Sequence, residues 1–374
     1  MRVLRPIRFG SYAEPPWDRW CQPMRVTVIT PVRNGGETFR ACLSSLAACI
    51  PAPDELIIVI DGTSDGDGER AASRGARVIQ LPISVGAARA RNAGVAAASG
   101  DVILFIDADV VVPPDLVKRA VRALADHPEL AAVIGSYDDE PAEAGLLSQY
   151  RNLLHHYVHQ TGHEDAATFW CGCGAIRRDV FLAVGGLDGG YSGASIEDIE
   201  LGYRLRRAGH RIRLCKRLQV KHLKRWTAGS MLWTDVFARA VPWTRLTFRS
   251  RLLLNDLNLR TSARASVALV FALGACLGAA PWSSWGFVAA IAAGLGLTAL
   301  NAGFYSFLWR ERGPLFTIAS VPWHWVYYAC AGIGFAIGLA SEILGVRAPA
   351  PIAQAPSVMT DFSQKGAPED SRVL

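Results

Sequence analysis

Residues 102–109 read Val-Ile-Leu-Phe-Ile-Asp-Ala-Asp, a short apolar run that ends in two carboxylates, Asp107 and Asp109. Such a run has the signature of a buried strand. Side chains two apart on a strand project to the same side, and neighbouring carboxylates repel each other unless a cation sits between them. A hard divalent cation takes oxygen ligands and commonly completes its shell with phosphate oxygens. The spacing therefore points to a strand-end metal site that holds a diphosphate. A strand followed by an acidic turn is the other reading of the same residues.

The surrounding pattern supplies elements to position these acids. Residues 25–30 form a first expected strand, ended by Pro31, and residues 37–48 a helix with Phe39, Leu43 and Leu46 on one face. Strands at 55–60 and 77–81 follow, separated by a short helix at 69–74, and an Ala-rich helix at 86–99 leads into the 102–109 strand. Strands alternating with helices argue for a mostly parallel sheet with helices on both faces. Ligands in such sheets bind at the carboxyl ends of the strands. Asn34, Asp61, Asp107 and Asp109 all fall just past strand ends, and that convergence favours a site over a set of ordinary turns.

The chain has 374 residues, 51% of them hydrophobic, with the apolar surplus in its C-terminal third. Apolar stretches run over 265–280, 286–309 and 315–344, the last broken by Pro322 and His324. A membrane span needs roughly 20 apolar residues. Abundant Gly and Ala suit close helix packing in a bilayer, and Trp282, Trp285, Trp309, Trp323 and Trp325 lie near the ends, as an aromatic belt would. Two or three spans are expected within 263–345; buried helices of a soluble bundle are the alternative. No apolar run follows the early arginines, so no signal peptide is expected and the polar part is placed in the cytoplasm, with Arg310 and Arg312 on a cytoplasmic loop. Residues 1–23 read as a poorly ordered leader, with Met24 a possible true start, and residues 346–374, rich in Ala, Pro and Ser, as a disordered tail. The eight cysteines show no paired framework, and Cys171-Gly172-Cys173 lacks the spacing of a zinc site.

Thr30-Pro31-Val32-Arg33-Asn34, with Cys42-Leu43-Ser44-Ser45-Leu46 downstream, and then Ile60-Asp61-Gly62-Thr63-Ser64-Asp65-Gly66 stand in order along the chain. They resemble the opening and the next motif of the family-2 glycosyltransferases with the GT-A fold. Ala90-Arg91-Asn92-Ala93-Gly94 and Gly100-Asp101 match the helix before the metal motif, and Asp107-Ala108-Asp109 is the D-x-D motif itself. Arg177-Arg178 and the Phe181 to Asp188 segment resemble the acceptor-side region. Glu197-Asp198 and the following Glu200-Leu201-Gly202-Tyr203-Arg204-Leu205 resemble the catalytic acid pair and its helix. The resemblance covers roughly residues 25–226. It implies a Rossmann-like GT-A domain over 24–226, followed by C-terminal transmembrane helices.

The resemblance also implies a nucleotide-sugar donor, a UDP-sugar being the first expectation, and a divalent cation, Mn2+ or Mg2+. Asp61 would accept from the base, with Pro31 and Val32 nearby through their backbone and Asn34 on the same edge. Asp107 would lie toward ribose and metal, and Asp109 would ligate the metal, which neutralises a departing diphosphate. Arg91 would add positive charge there, or Arg89 in its place; a solvated helix face is the other reading of each. Asp198, beside Glu197, is the candidate general base of an inverting transfer, although acids at a helix start also serve as plain dipole partners. His222 stands where many family members carry a metal-ligating histidine, with a structural histidine as the alternative. Residues 222–226 read His-x-x-Arg-Trp, departing from the Gln-x-x-Arg-Trp of membrane polysaccharide synthases, whose Trp stacks on the acceptor sugar. Arg225 and Trp226 are thus acceptor candidates, Trp226 alternatively an interfacial anchor, and processive polymerisation is disfavoured.

Between Arg206 and Arg225 nine basic residues run without an acid, and Arg239, Arg245, Arg249 and Arg251 follow among Trp233, Phe237, Trp243 and Phe248. Residues 227–262 read as an amphipathic segment on anionic membrane lipid; adjacent apolar spans make nucleic acid the weaker reading. Acceptor residues are expected in 149–170, where His155, His156, Tyr157 and His159 cluster, although a polar helix face explains these too. Together these observations predict a membrane-anchored, metal-dependent, inverting glycosyltransferase of cell-envelope glycan or glycolipid biosynthesis, acting at the cytoplasmic face on a lipid-linked or membrane-embedded acceptor. A processive synthase and an inactive GT-A membrane scaffold are the alternatives.

Overall fold

The computed structural model describes residues 24–62, 66–191, 195–252 and 254–346. The expected leader, all but the first residue of the expected tail, and Thr63-Ser64-Asp65 of the second motif lie outside these residues. In chain order the first half contains β1 (Val26–Val32), α1 (Gly36–Ala47), β2 (Glu55–Asp61), α2 (Asp67–Ala72), β3 (Arg77–Leu81), α3 (Ala87–Ala97), β4 (Val102–Ile106), β5 (Val110–Val111), α4 (Leu116–Ala125) and β6 (Leu130–Tyr137). Then come α5 (Leu146–Gln160), β7 (Asp165–Ala166), β8 (Cys173–Arg177), α6 (Arg178–Ala183), α7 (Glu197–Arg207), β9 (Arg211–His222) and α8 (Ala228–Trp233). A π-helical segment, Thr234–Ala240, runs into α9 (Val241–Ser250), a 3-10 turn spans Leu257–Leu259, and three apolar helices close the chain: α10 (Thr261–Ala279), α11 (Ser284–Leu300) and α12 (Ala302–Ile343).

The sheet order is β3-β2-β1-β4-β8-β6-β9-β5, with β7 on β9. The first four strands are parallel. β8 is antiparallel to both β4 and β6, while β6 and β9 are parallel. β1, β2 and β4 are buried along almost their whole length and rich in Val and Ile, as strands covered on both faces must be. β1 runs two residues beyond its expected last residue, Thr30, through Pro31, which pairs with Val59 of β2. The β4 pairing of β1 covers only Val26 to Ile29, so no β4 partner at Pro31 requires an N–H.

Two glycines set close approaches that aim functional side chains. A Cβ on Gly94 of α3 would lie 2.6 Å from Ile29 Cγ2, so the bare helix face lets α3 sit directly on β1. A Cβ on Gly202 of α7 would lie 2.4 Å from the Phe169 backbone nitrogen, which fixes α7 against the segment leading into β8.

Among the described residues, Thr261–Ala279 and Ala302–Ile343 are long and apolar enough to cross a membrane; Ser284–Leu300 is apolar but shorter. The 286–309 stretch differs from its expected form as one uninterrupted unit. It breaks at Asn301, whose Nδ2 donates to Ser266 Oγ at 3.0 Å and to Leu297 O at 2.8 Å, and whose Oδ1 accepts from Tyr328 Oη at 2.7 Å. The first part of α12, up to a kink at Gly313 (φ 81°), packs on the sheet domain instead. There Phe304, Tyr305 and Leu308 bury against Tyr150, Leu153 and Trp226. Arg312 continues that contact, donating to Asp139 O at 2.6 Å and to Gln149 Oε1 at 3.0 Å.

Candidate active site

The carboxyl ends of β4 and β9 meet at one edge of the sheet. β5 pairs antiparallel with β9 so that Val110 faces His222, and Leu223 N donates to Asp109 O at 2.8 Å. This register carries the Asp109 carboxylate to 3.6 Å from His222 Nε2. Burial works to raise the Asp109 carboxyl, but His222 and Lys224 together hold it below the usual range. The His222 ring is stacked on Tyr137 at 4.1 Å and 11°, which fixes its plane.

Asp107 is turned toward α3. Its Oδ1 accepts from Arg91 Nη2 at 2.7 Å, and Arg91 Nη1 donates to Glu197 Oε1 at 3.1 Å. Arg91 is 6% and Glu197 3% exposed, and Glu197 Oε2 also accepts from Ser195 N at 2.8 Å. One buried guanidinium thus ties the strand-end acid to the acid pair at the start of α7. Of the two arginines considered from sequence, Arg91 occupies the site, whereas Arg89 Nε donates to Gly189 O at 3.0 Å. The neighbouring Asp198 accepts from Cys171 N at 3.2 Å and from its own helix at Ile199 N, 2.8 Å. Burial, then the adjacent Glu197 charge, pushes its carboxyl up to about 7.

Asp61, at the end of β2, is 5% exposed. It accepts from Val85 N at 2.6 Å, Ser84 Oγ at 3.0 Å and Gly86 N at 3.1 Å, and so ties β2 to the start of α3. A carboxylate has about four lone-pair sites, so these bonds leave capacity for one more donor. Pro31 and Val32 form the adjacent end of β1, Val32 buried, and Asn34 follows in the left-handed region at φ 52°.

A cleft of about 230 Å³ is lined by Arg91, Asp107, Asp109, Glu197, Asp198, His222 and Trp226, whereas Pro31, Val32, Asn34, Asp61 and the exposed Arg225 do not line it. Trp226 is 8% exposed and packs with Tyr150, Leu153, Met231 and Phe304. Lys224 Nζ sits 4.3 Å from its ring centroid. It therefore anchors the apolar helices to the domain while presenting an edge to the cleft.

Several lining residues carry no motif. Arg151 of α5 pairs with both oxygens of Asp235 in the π-helical segment, one of them at 3.1 Å. In the sequence, Asp235 is one of two acids, with Asp256, in the basic 227–262 region, and no motif marks it. His155, Trp170 and Tyr137 form an aromatic wall, with ring centroids 4.4–4.9 Å apart. Burial and then the neighbouring His159 hold His155 well below its ordinary range, so the ring is neutral. His156 and His159 are not a polar helix face: their Nδ1 atoms lie 2.8 Å from Tyr137 O and 3.0 Å from Gly135 O, on β6.

The donor set suits a divalent cation in one respect. Asp109 Oδ2 and His222 Nε2 are 3.6 Å apart, a span that bonds of about 2.1 Å bridge at an obtuse angle. No cluster of three metal-ligating side chains exists among the described residues, so the remaining positions would fall to phosphate oxygens and water, as is usual for such ions. Arg91 takes one lone-pair site of Asp107 Oδ1, which leaves the carboxylate about three for a cation.

Residues 27–185 match the family model for glycosyl transferase family 2. Over these residues the chain is similar to the family-2 glycosyltransferases. Its sheet with flanking helices resembles the GT-A fold and is followed by the apolar C-terminal helices. The domain is 29% identical over 168 residues to an undecaprenyl-phosphate 4-deoxy-4-formamido-L-arabinose transferase of Pectobacterium carotovorum, covering 42% of this chain and 50% of that protein. It is 31% identical over 99 residues to glucosyl-3-phosphoglycerate synthase of Mycobacterium tuberculosis, covering 24% and 31%. The chain spans half or less of the length of these curated relatives. A solved structure of the mannosyltransferase PcManGT from Pyrobaculum calidifontis, in complex with GDP-Man and Mn2+, aligns with TM-score 0.47 and 16% identity over 89% of this chain and 92% of that one.

Proposed function

We propose that this glycosyltransferase is a membrane-anchored, metal-dependent, inverting enzyme that moves a sugar from a nucleotide-sugar donor, a UDP-sugar first, to a lipid-linked acceptor at the cytoplasmic face. The observation that carries it is the convergence, in one cleft, of the Asp109–His222 pair, the Asp107–Arg91–Glu197 chain and Asp198, closed on one side by residues that pack on the apolar helices. Asp109 and His222 would hold a Mn2+ or Mg2+ ion, with Asp107 alongside; the ion supplies positive charge to a departing diphosphate. Arg91 adds a fixed charge beside Asp107 and keeps that carboxylate from turning freely. Asp61, Pro31, Val32 and Asn34 line the edge where a base and ribose would lie.

Asp198 takes the proton from the attacking acceptor hydroxyl. A carboxyl raised to about 7 is a stronger base than an ordinary one and still half ionised at neutral pH. Inversion follows if the hydroxyl attacks from the Asp198 side, opposite the diphosphate. A lipid acceptor is supported by the two helices long enough to cross a membrane and by the lipid-phosphate substrate in the name of the Pectobacterium relative. The test is transfer by the full chain in detergent. Asp198→Asn is expected to lose about 10²–10⁴-fold in kcat while keeping donor affinity. Equal loss of donor affinity, or unchanged kcat, would remove Asp198 from this role.

A further inference from the structure

A groove of about 360 Å³ lies beside the catalytic cleft, separate from it but touching it. Its walls are α9, the start of α10 and the later part of α12, through Thr247, Phe248, Val267, Ala331 and Phe335. Phe248 and Phe335 are 46% and 50% exposed, and the outer faces of α10 and α12 carry further exposed apolar side chains, Phe271 and Ile318 among them. The groove thus opens onto the surface that a bilayer would cover. At its inner end Arg239, Trp243 and Asn258 line both the groove and the cleft that holds Asp198. Arg239 lies on the π-helical segment, one turn after Asp235, but Asp235 is taken by Arg151. Among the described residues no carboxylate comes within ion-pair distance of Arg239. A guanidinium between an apolar groove and a polar cleft, without an acid partner, calls for an anion from outside.

Resting on the glycosyltransferase reading above, we infer that the groove holds the hydrocarbon chain of a phosphate-bearing lipid acceptor, that Arg239 binds its phosphate, and that the accepting hydroxyl lies beyond the phosphate, toward Asp198. The order of the linings sets this order of groups: apolar walls first, the cation at the junction, the carboxylate inside. It also distinguishes this acceptor from a lipid phosphate that is itself the nucleophile, which would need no proton removed.

The test measures binding of fluorescent phosphatidylglycerol, which carries a phosphate and hydroxyls beyond it, and of fluorescent diacylglycerol, which lacks the phosphate, to the full chain in neutral detergent. Wild type is expected to prefer phosphatidylglycerol about tenfold, the scale of one charge-assisted contact. Arg239→Gln should bring phosphatidylglycerol down to the diacylglycerol level. Ala331→Trp, which fills the groove, should weaken both lipids, while Ala331→Val, a small change at the same position, should leave the phosphate preference in place. Absence of a preference in wild type, or its retention in Arg239→Gln, overturns the phosphate assignment. Unchanged binding in Ala331→Trp overturns the groove assignment. Calorimetry with UDP, GDP and dTDP, each with Mn2+, on the same wild-type sample reports on the glycosyltransferase reading independently: failure of all three beside normal lipid behaviour would remove the enzyme and leave the lipid site.

Discussion

Replacing Arg91 by Leu tests whether the buried charge chain holds the site together. Arg91 is 6% exposed and bonds Asp107 at 2.7 Å and Glu197 at 3.1 Å, and Glu197 is itself 3% exposed. Breaking a buried pair leaves an uncompensated charge and costs about 3–5 kcal/mol. For a domain of this size about 2–4 °C of Tm accompanies each kcal/mol, so Arg91→Leu should lower the melting temperature by about 6–20 °C. The loss should depend on pH. Burial already raises the Asp107 carboxyl above its ordinary value, and without the opposing Arg91 charge its folded-state pKa rises further above that of the unfolded chain. The penalty is then absent below about pH 4, grows as pH rises and is complete above the raised value. Adding Glu197→Gln to Arg91→Leu removes one of the stranded charges and should recover part of the loss. The assay is thermal unfolding of the detergent-solubilised chain at several pH values. A shift of under 2 °C at pH 8, a shift independent of pH, or no recovery in the double variant would refute the charge-chain argument.

Other expectations follow from the same geometry. Because burial and Glu197 hold Asp198 up at about 7, kcat/KM should rise with pH up to that region and then level, as the base loses its proton; Asp198→Asn should flatten the rise. His222→Ala should weaken Mn2+ binding by calorimetry while leaving the fold intact by circular dichroism, since the second donor 3.6 Å from Asp109 is lost. Gly202→Ala places a methyl 2.4 Å from the Phe169 backbone; overpacking of this kind costs about 1–3 kcal/mol, read as a lower Tm, and should reduce kcat because α7 carries Asp198.

Much of the sheet was legible because β1, β2 and β4 are apolar runs bounded by turn residues, and the acids at their ends mark the carboxyl edge. The acid pair at the start of α7 was legible as a helix opening. Other parts depended on long-range contacts that periodicity does not carry. His156 and His159 look polar in sequence, yet the carbonyls of Tyr137 and Gly135 satisfy them on a buried face. Asn301 splits an apolar stretch because Ser266 and Tyr328, distant in sequence, supply its partners. Asp61 read in sequence as a base contact or an ordinary turn acid, and its three bonds to residues 84–86 emerged only with the fold. Arg239 drew notice as one basic residue among many; its place between two cavities comes from the π-helical segment.

The most direct measurement is nucleotide release from UDP-, GDP- and dTDP-sugars by the full chain in detergent, with and without Mn2+ or Mg2+, for wild type and Asp109→Ala. Expected is metal-dependent release from one donor by wild type, accelerated by a phosphate-bearing lipid acceptor, and its loss in Asp109→Ala. Full release by Asp109→Ala in metal-containing buffer, or equal release by wild type with the metal chelated, would contradict a metal-dependent glycosyl transfer at this site.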